Sequence, residues 1–408
     1  MSATKMLDDL RVIELSAFVA APLGGMTLAQ LGADVIRIDP LKGGLDYRRW
    51  PVTEENTSLF WCGLNKEKKS VTIDIASPRG KELVKALILT PANSDIDNIL
   101  LTNFPPSPLL DYDALSQERP GIIKLSITGD RHGRSAVDYT VNPTLGLPLL
   151  TGPEESEAAC NQILPAWDLI TGHMAVIGIL AAERQRSRTG KGQHIQLALE
   201  DAALAMMGHL GFIAEAQLGQ DRERYGNYLY GAFGRDFLSA DAKRIMIVGL
   251  TAKQWSGLVR ATQLQADFDK LAEDAGHTLD DEANRFKSRK EIALLIEKWC
   301  RTHTLVQIQE RFDANGVCWS VYQTIRERVQ ATGKNSIEDN PLFSYVLQRG
   351  VGEYLTPGLP LVFSGMPDSA TRPAPALGEH TEEVLSDTLG LTIAQIGKLI
   401  DDRIVGRA

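Results

Sequence analysis

In the stretch LPAWDLITGHMAVIGILAA, an aspartate follows a proline and a tryptophan and opens an apolar run. Residue type allows Asp168 two roles. As a helix cap it would accept hydrogen bonds from the free N–H groups of a first turn. As a nucleophile it would attack an acyl carbon in its ionised form, which a helix N-terminus favours. On pattern alone the cap is the simpler reading.

Other chemistry-bearing residues are sparser. Asp39 ends the second strand-like segment, where a dinucleotide-binding unit keeps its ribose acid, but Gly24 and Gly25 do not make a GxGxxG turn. A strand-end acid facing solvent is the expectation for Asp39. RTGKGQ at 188–193 lacks phosphate-loop spacing and is read as a turn. The seven histidines form neither HxxxH nor HExxH, so no zinc site is indicated, and His173 and His209 in apolar stretches are expected in the core. There is no GxSxG elbow. Cys62, Cys160, Cys300 and Cys318 are scattered, as in a reduced protein without a disulfide framework.

A net charge of −9 argues against nucleic-acid or anionic-membrane binding and leaves room for a local basic pocket. The segment LITGHMAVIGILAA is shorter than the roughly 18 residues a bilayer span needs, and MSATKMLDDLRVIEL lacks a signal-peptide layout. A cytoplasmic enzyme is expected.

These residues must be held by something. LRVIELS, DVIRID, SVTIDI, DNILLTNF and GIIKLSIT read as short apolar strands alternating with helices such as SPRGKELVKALI, which predicts βαβ units and a parallel sheet. A basic-ended helix follows Asp168, then strand HIQLAL and one long helix EDAALAMMGHLGFIAEAQLG. The polar patch GQDRERYGNYLYG marks a boundary. The expected layout is a large domain over 1–220, a small α+β domain over 226–340, an extended Pro/Gly-rich connection over 341–375, and C-terminal helices over 376–408 that return to the large domain.

Several stretches together resemble the class III CoA-transferases: LDDLRVIELSAFVAAPLGGMTLAQLGADVIRIDP, GLNKEKKSVTIDI, TNFPP, TGKGQHIQLALEDAAL and PALGEHTEEVL. The resemblance runs the length of the chain. GGLDYRRWPVT, VDYTVNPTLGLP and GNYLYGAFGRDF resemble members that move CoA from C1 to C4 of one unsaturated diacid, mesaconate. It implies a Rossmann-like large domain, a smaller one, and a homodimer of two interlocked rings. It places the nucleophile on Asp168, reversing the cap reading. It places CoA near Ala17, Phe18, Arg37, Leu64, Asn65, Asn103 and Phe104, as substrate and not as a cofactor; no cofactor or metal is implied. Arg48, Arg49 and Arg235 are candidates for the free carboxylate, Tyr139 lies by the site, and the backbone around Gly231 and Gly234 is a candidate oxyanion donor.

The chain also departs from the family. Ala136 and Val137 stand where many members have a basic residue, and Val137 replaces the histidine of related racemases. The aromatics of YGNYLYGAFGRDF replace a glycine run that closes over the aspartate in many bimolecular members. They either pack a domain junction or narrow the pocket. Three activities stay open: intramolecular CoA transfer, bimolecular transfer between two acids, and CoA or nucleotide binding without turnover.

Overall fold

The computed structural model describes residues 6–91, 96–333, 336–365 and 370–408. Residues 1–5 of the N-terminal stretch, and 366–369 of the expected connection, lie outside the described residues. The chain forms two compact units. The first contains Met1–Leu145, Ile163–Ala214 and Ile337–Ala408; the second contains Gly146–Gln162 and Glu215–Ser336.

The first unit is built on six strands: β1 (Arg11–Leu15), β2 (Asp34–Asp39), β3 (Lys69–Thr72), β4 (Ile99–Thr102), β5 (Ile123–Thr128) and β6 (His194–Ala198). They pair in parallel in the order β3-β2-β1-β4-β5-β6. Alternate side chains sort to opposite faces. Ile13, Leu15, Ile36 and Ile38 pack with Leu83 and Leu87 of helix Pro78–Leu89 and with Val384, Leu385 and Leu399 of the C-terminal helices. Val12, Val35, Leu101 and Leu125 pack with Ala20, Ala21 and Leu28 of helix Ala20–Gln30 and with Ala175 and Ile179 of helix Ala166–Thr189. Helices on both faces bury most of each strand from β1 to β5, as in other parallel sheets, and the charged residues Glu14, Arg37 and Asp39 stand toward the carboxyl ends of β1 and β2. The strand order reverses between β1 and β4. Ligands of open α/β sheets bind outside the carboxyl ends of strands at such a point.

Helices Ala20–Gln30 and Ala166–Thr189 pack closely because both supply glycine. A Cβ on Gly24 would lie 3.2 Å from the Gly172 carbonyl oxygen. The Ala166–Thr189 helix is long and apolar enough to cross a membrane, although the run quoted above is shorter. Its buried residues pack on the sheet, and Gly190, with φ +71°, ends it in the turn expected of RTGKGQ.

The second unit carries an antiparallel sheet of β7 (Phe233–Leu238), β8 (Arg244–Gly249) and β9 (Cys318–Val321). Phe233, Phe237, Ile247, Trp255, Ile296 and Phe312 form its core. Phe233 and Phe237 therefore pack the interior of this unit, which answers the question their aromatic character raised for those two residues.

Several local expectations are corrected. The stretch read as an extended connection contains a hairpin of β10 (Phe343–Gln348) and β11 (Gly352–Pro357), whose turn takes positive φ at Gly350 and Gly352. The long helix after β6 is two, Leu199–His209 and Phe212–Gln217, with Gly211 at φ +83° between them. His173 and His209 are exposed, not in the core. Asp39 does not face solvent: it is 1% exposed.

Candidate active site

Helix Ala166–Thr189 begins after Pro165, which has no side-chain acceptor and does not cap it. Asp168 is the third residue inside the helix. The cap comes from elsewhere: Asp138 Oδ2 accepts from the Trp167 N–H at 2.7 Å and from the Asp168 N–H at 3.4 Å. The cap reading of Asp168 is thereby overturned. The N-terminal N–H groups are served by Asp138, on helix Asp138–Thr144 of the same unit. No group among the described residues donates a hydrogen bond to the Asp168 carboxylate.

That carboxylate is half-buried. Burial raises its pKa, the neighbouring Asp138 raises it further, and Arg49 pulls it back, leaving it at about 6. Arg49 is held by aromatic faces: its guanidinium carbon lies 5.7 Å from the Phe18 ring centre and 5.2 Å from that of Phe60. Phe18, at φ +67°, occupies the left-handed region, uncommon for a bulky side chain. Such backbone strain collects at binding sites.

Phe18 sits just after β1, at the switch point. Asn103, just after β4, clamps the same loop with both ends of its amide: Oδ1 accepts from the Ala17 N–H at 2.9 Å and Nδ2 donates to the Ala17 carbonyl at 2.8 Å. Thr102 Oγ1 donates to the Leu15 carbonyl and accepts from the Phe104 N–H. Phe104 lines a cavity of 320 Å³ with Leu15, Ile75, Lys81 and Leu110.

Beneath this surface lies a buried ionic cluster. Arg37, 1% exposed, donates to Asp39, Asp46, the Asn65 amide oxygen and the Ser16 carbonyl. Burial opposes its charge, but Asp39, Asp46 and Glu14 overcome that and the pKa is raised. Asn65 Oδ1 also accepts from Lys68, which reaches Glu14 at 2.9 Å. Gly25 makes room for this acid, since a Cβ there would lie 1.8 Å from Glu14 Oε2. The side chains of Arg37 and Asn65 are thus spent inward. Through Ser16 and Asp46, Arg37 joins the loop that carries Phe18 to the loop that carries Arg49.

The remaining candidates fall elsewhere. Leu64 ends helix Leu59–Leu64, half-buried. Arg48 is exposed and lines a separate 860 Å³ cavity with Tyr47 and Trp50. Tyr139 is exposed and donates to the Ile163 carbonyl at 3.1 Å. Gly231, Gly234 and Arg235 belong to the second unit. Gly234 and Arg235 lie within strand β7 and not in an open glycine loop, and Arg235 donates to the Tyr228 hydroxyl at 3.0 Å. Sequence reasoning missed Asp138, Glu14, Lys68 and Phe60. An acid as the first residue of the helical pattern DYTVN was the available signal for Asp138.

Residues 7–381 match the family model for CoA-transferase family III. The chain is 52% identical over 402 residues to the 2-methylfumaryl-CoA isomerase of Chloroflexus aurantiacus, covering 98% of each chain. It is 29% identical, again over 98% of each, to the succinyl-CoA–D-citramalate CoA-transferase of the same organism. A CAIB/BAIF family protein from Brucella suis has the same fold, with TM-score 0.76 and 25% identity over 94% of this chain and 99% of that one.

Proposed function

The chain belongs to CoA-transferase family III, and on that premise we propose that it isomerises 2-methylfumaryl-CoA to 3-methylfumaryl-CoA by intramolecular CoA transfer. The observation that carries the mechanism is the state of Asp168: first turn of a helix, carboxylate free of hydrogen bonds among the described residues, capping duty taken by Asp138.

Asp168 attacks the C1 thioester carbonyl. The C–S bond breaks, a mixed anhydride forms, and CoA leaves as thiolate. The thiolate attacks the aspartyl carbonyl, giving an aspartyl thioester and free mesaconate. Mesaconate turns its C4 carboxylate onto that thioester, forming a second anhydride and releasing the thiolate again. The thiolate attacks C4, the new thioester forms, and the Asp168 carboxylate is regenerated. No proton is gained or lost, and no cofactor or metal is called for. Each tetrahedral step is helped by N–H donors worth about 3–4 kcal/mol apiece.

CoA lies along the carboxyl ends of β1 and β4, past Ala17, Phe18, Asn103 and Phe104. Arg37, Leu64 and Asn65 shape this surface; the guanidinium of Arg37 and the amide of Asn65 act from below it. Arg49, beside Asp168, is the preferred partner of the free carboxylate ahead of Arg48 and Arg235, and Tyr139 donates to the Ile163 carbonyl just ahead of the Asp168 helix. Exposed Ile177 (58%), Leu204 (40%) and Leu210 (69%) on the first unit fit burial in a homodimer, which the family builds as interlocked rings. All four cysteines are free thiols, in keeping with the cytoplasm.

Retention of mesaconate is what makes such a transferase an isomerase, because a bound, oriented acid acts as if present at roughly 10⁵ M or more. The test uses purified enzyme, 2-methylfumaryl-CoA and a large excess of isotope-labelled mesaconate, with thioesters followed by mass. The expected product is unlabelled C4 thioester. Labelled product would instead establish bimolecular transfer. Binding of CoA without any conversion would establish a non-catalytic protein.

A further inference from the structure

We infer that Asp138 is a positioning residue for Asp168: its carboxylate caps the first turn of helix Ala166–Thr189 from a separate helix and keeps a second negative charge beside the nucleophile. This rests on the reading of Asp168 as nucleophile. The geometry has two points of attachment. Asp138 Oδ2 takes the Trp167 and Asp168 N–H groups at 2.7 and 3.4 Å. One turn along the same helix, Asn142 Oδ1 accepts from the Trp167 indole N–H at 3.3 Å. Helix Asp138–Thr144 thus grips both the backbone and the ring of the residue next to Asp168. A local cap is ruled out by Pro165, whose side chain has no acceptor.

The arrangement has an electrostatic consequence. Asp138 is 2% exposed, and no cationic side chain among the described residues pairs with it. Its own pKa is raised by burial and pulled back by the two N–H groups it accepts from. Asp168 is faced by two charged groups, Asp138 and Arg49, which act in opposite directions. A cap alone could be any acceptor oxygen. A charged cap adjacent to the nucleophile also makes that nucleophile more basic, hence more reactive once ionised.

The two contributions separate by substitution in the full-length enzyme. Asp138→Asn retains an acceptor oxygen and removes the charge; Asp138→Ala removes both. The readouts are kcat/KM against pH, kcat and KM at neutral pH, and a thermal melt. For Asp138→Asn the acid limb of kcat/KM should move to lower pH by about half a unit or more. For Asp138→Ala kcat should fall by about tenfold or more relative to Asp138→Asn, with KM little changed. An unmoved acid limb in Asp138→Asn overturns the inference, and that variant decides alone should Asp138→Ala not fold. Asp168→Ala is run alongside. If it still turns over, the nucleophile reading has failed and the inference falls with it. If it is inactive while the Asp138→Asn limb stays in place, only the role of Asp138 is refuted.

Discussion

A Cβ on Gly172 would lie 2.8 Å from the Ala20 carbonyl oxygen, so helices Ala20–Gln30 and Ala166–Thr189 meet backbone against backbone one turn beyond Asp168. Ala20 begins the helix that leaves the switch point. The contact therefore ties the position of Asp168 to the loop holding Ala17 and Phe18. Gly172→Ala should cost about 1–3 kcal/mol by overpacking, read as a lower urea midpoint. Its kcat should fall more than its KM changes, since the displacement acts on the nucleophile.

Asp168 itself should work against stability. Its folded pKa of about 6 exceeds the ordinary 3.8, so between those values the folded chain holds a proton that the unfolded chain has lost. Its contribution to stability falls as pH rises through that window. Asp168→Asn should be more stable than the parent above this range, by on the order of 1 kcal/mol given partial exposure, and equal to it in stronger acid. Melts at several pH values check this. The same variant should lose activity by roughly three orders of magnitude or more.

The same pKa sets the activity profile. The attacking form is the carboxylate, so kcat/KM should fall as pH drops through about 6. A profile flat across that region would place the essential ionisation elsewhere.

Arg49→Gln removes the cation that lowers the pKa of Asp168. The acid limb should then move to higher pH, the opposite of the shift expected for Asp138→Asn. If Arg49 also holds the free carboxylate, KM should rise by about tenfold or more, in line with loss of a charge-assisted pair. Arg48→Gln should leave both quantities near the parent.

Arg37→Lys tests the buried cluster. Lysine offers three donors from one point and cannot replace a planar fork that reaches Asp39, Asp46, Asn65 and the Ser16 carbonyl at once. A loss of about 3–5 kcal/mol is expected, as for other broken buried ion pairs, read by denaturant unfolding.

Much of this was legible in the chain. Short apolar strands bounded by turn residues marked β1 to β6, Ser77 followed by Pro78 marked a helix start, and the matching stretches of the family marked Asp168. These are local signals. A strand needs only its own alternation or apolar run, and a cap only its next few residues. The hairpin β10–β11 was missed because Pro and Gly on either side read as an open connection. Strand β7 was missed because Gly234, Arg235 and Asp236 stand between its two core phenylalanines and break the apolar pattern.

What the tertiary structure decided is which acid does which work. By residue type Asp39, Asp138 and Asp168 are equivalent, and each stands beside a helix or strand end. Folding buries Asp39 against Arg37, gives Asp138 two N–H groups of a helix about 30 residues ahead, and leaves the Asp168 carboxylate without a donor among the described residues. Ionisation and reactivity depend on burial and on charges a few ångströms away. For Asp138 and Asp168 those neighbours come from distant parts of the chain, so no local pattern contains them.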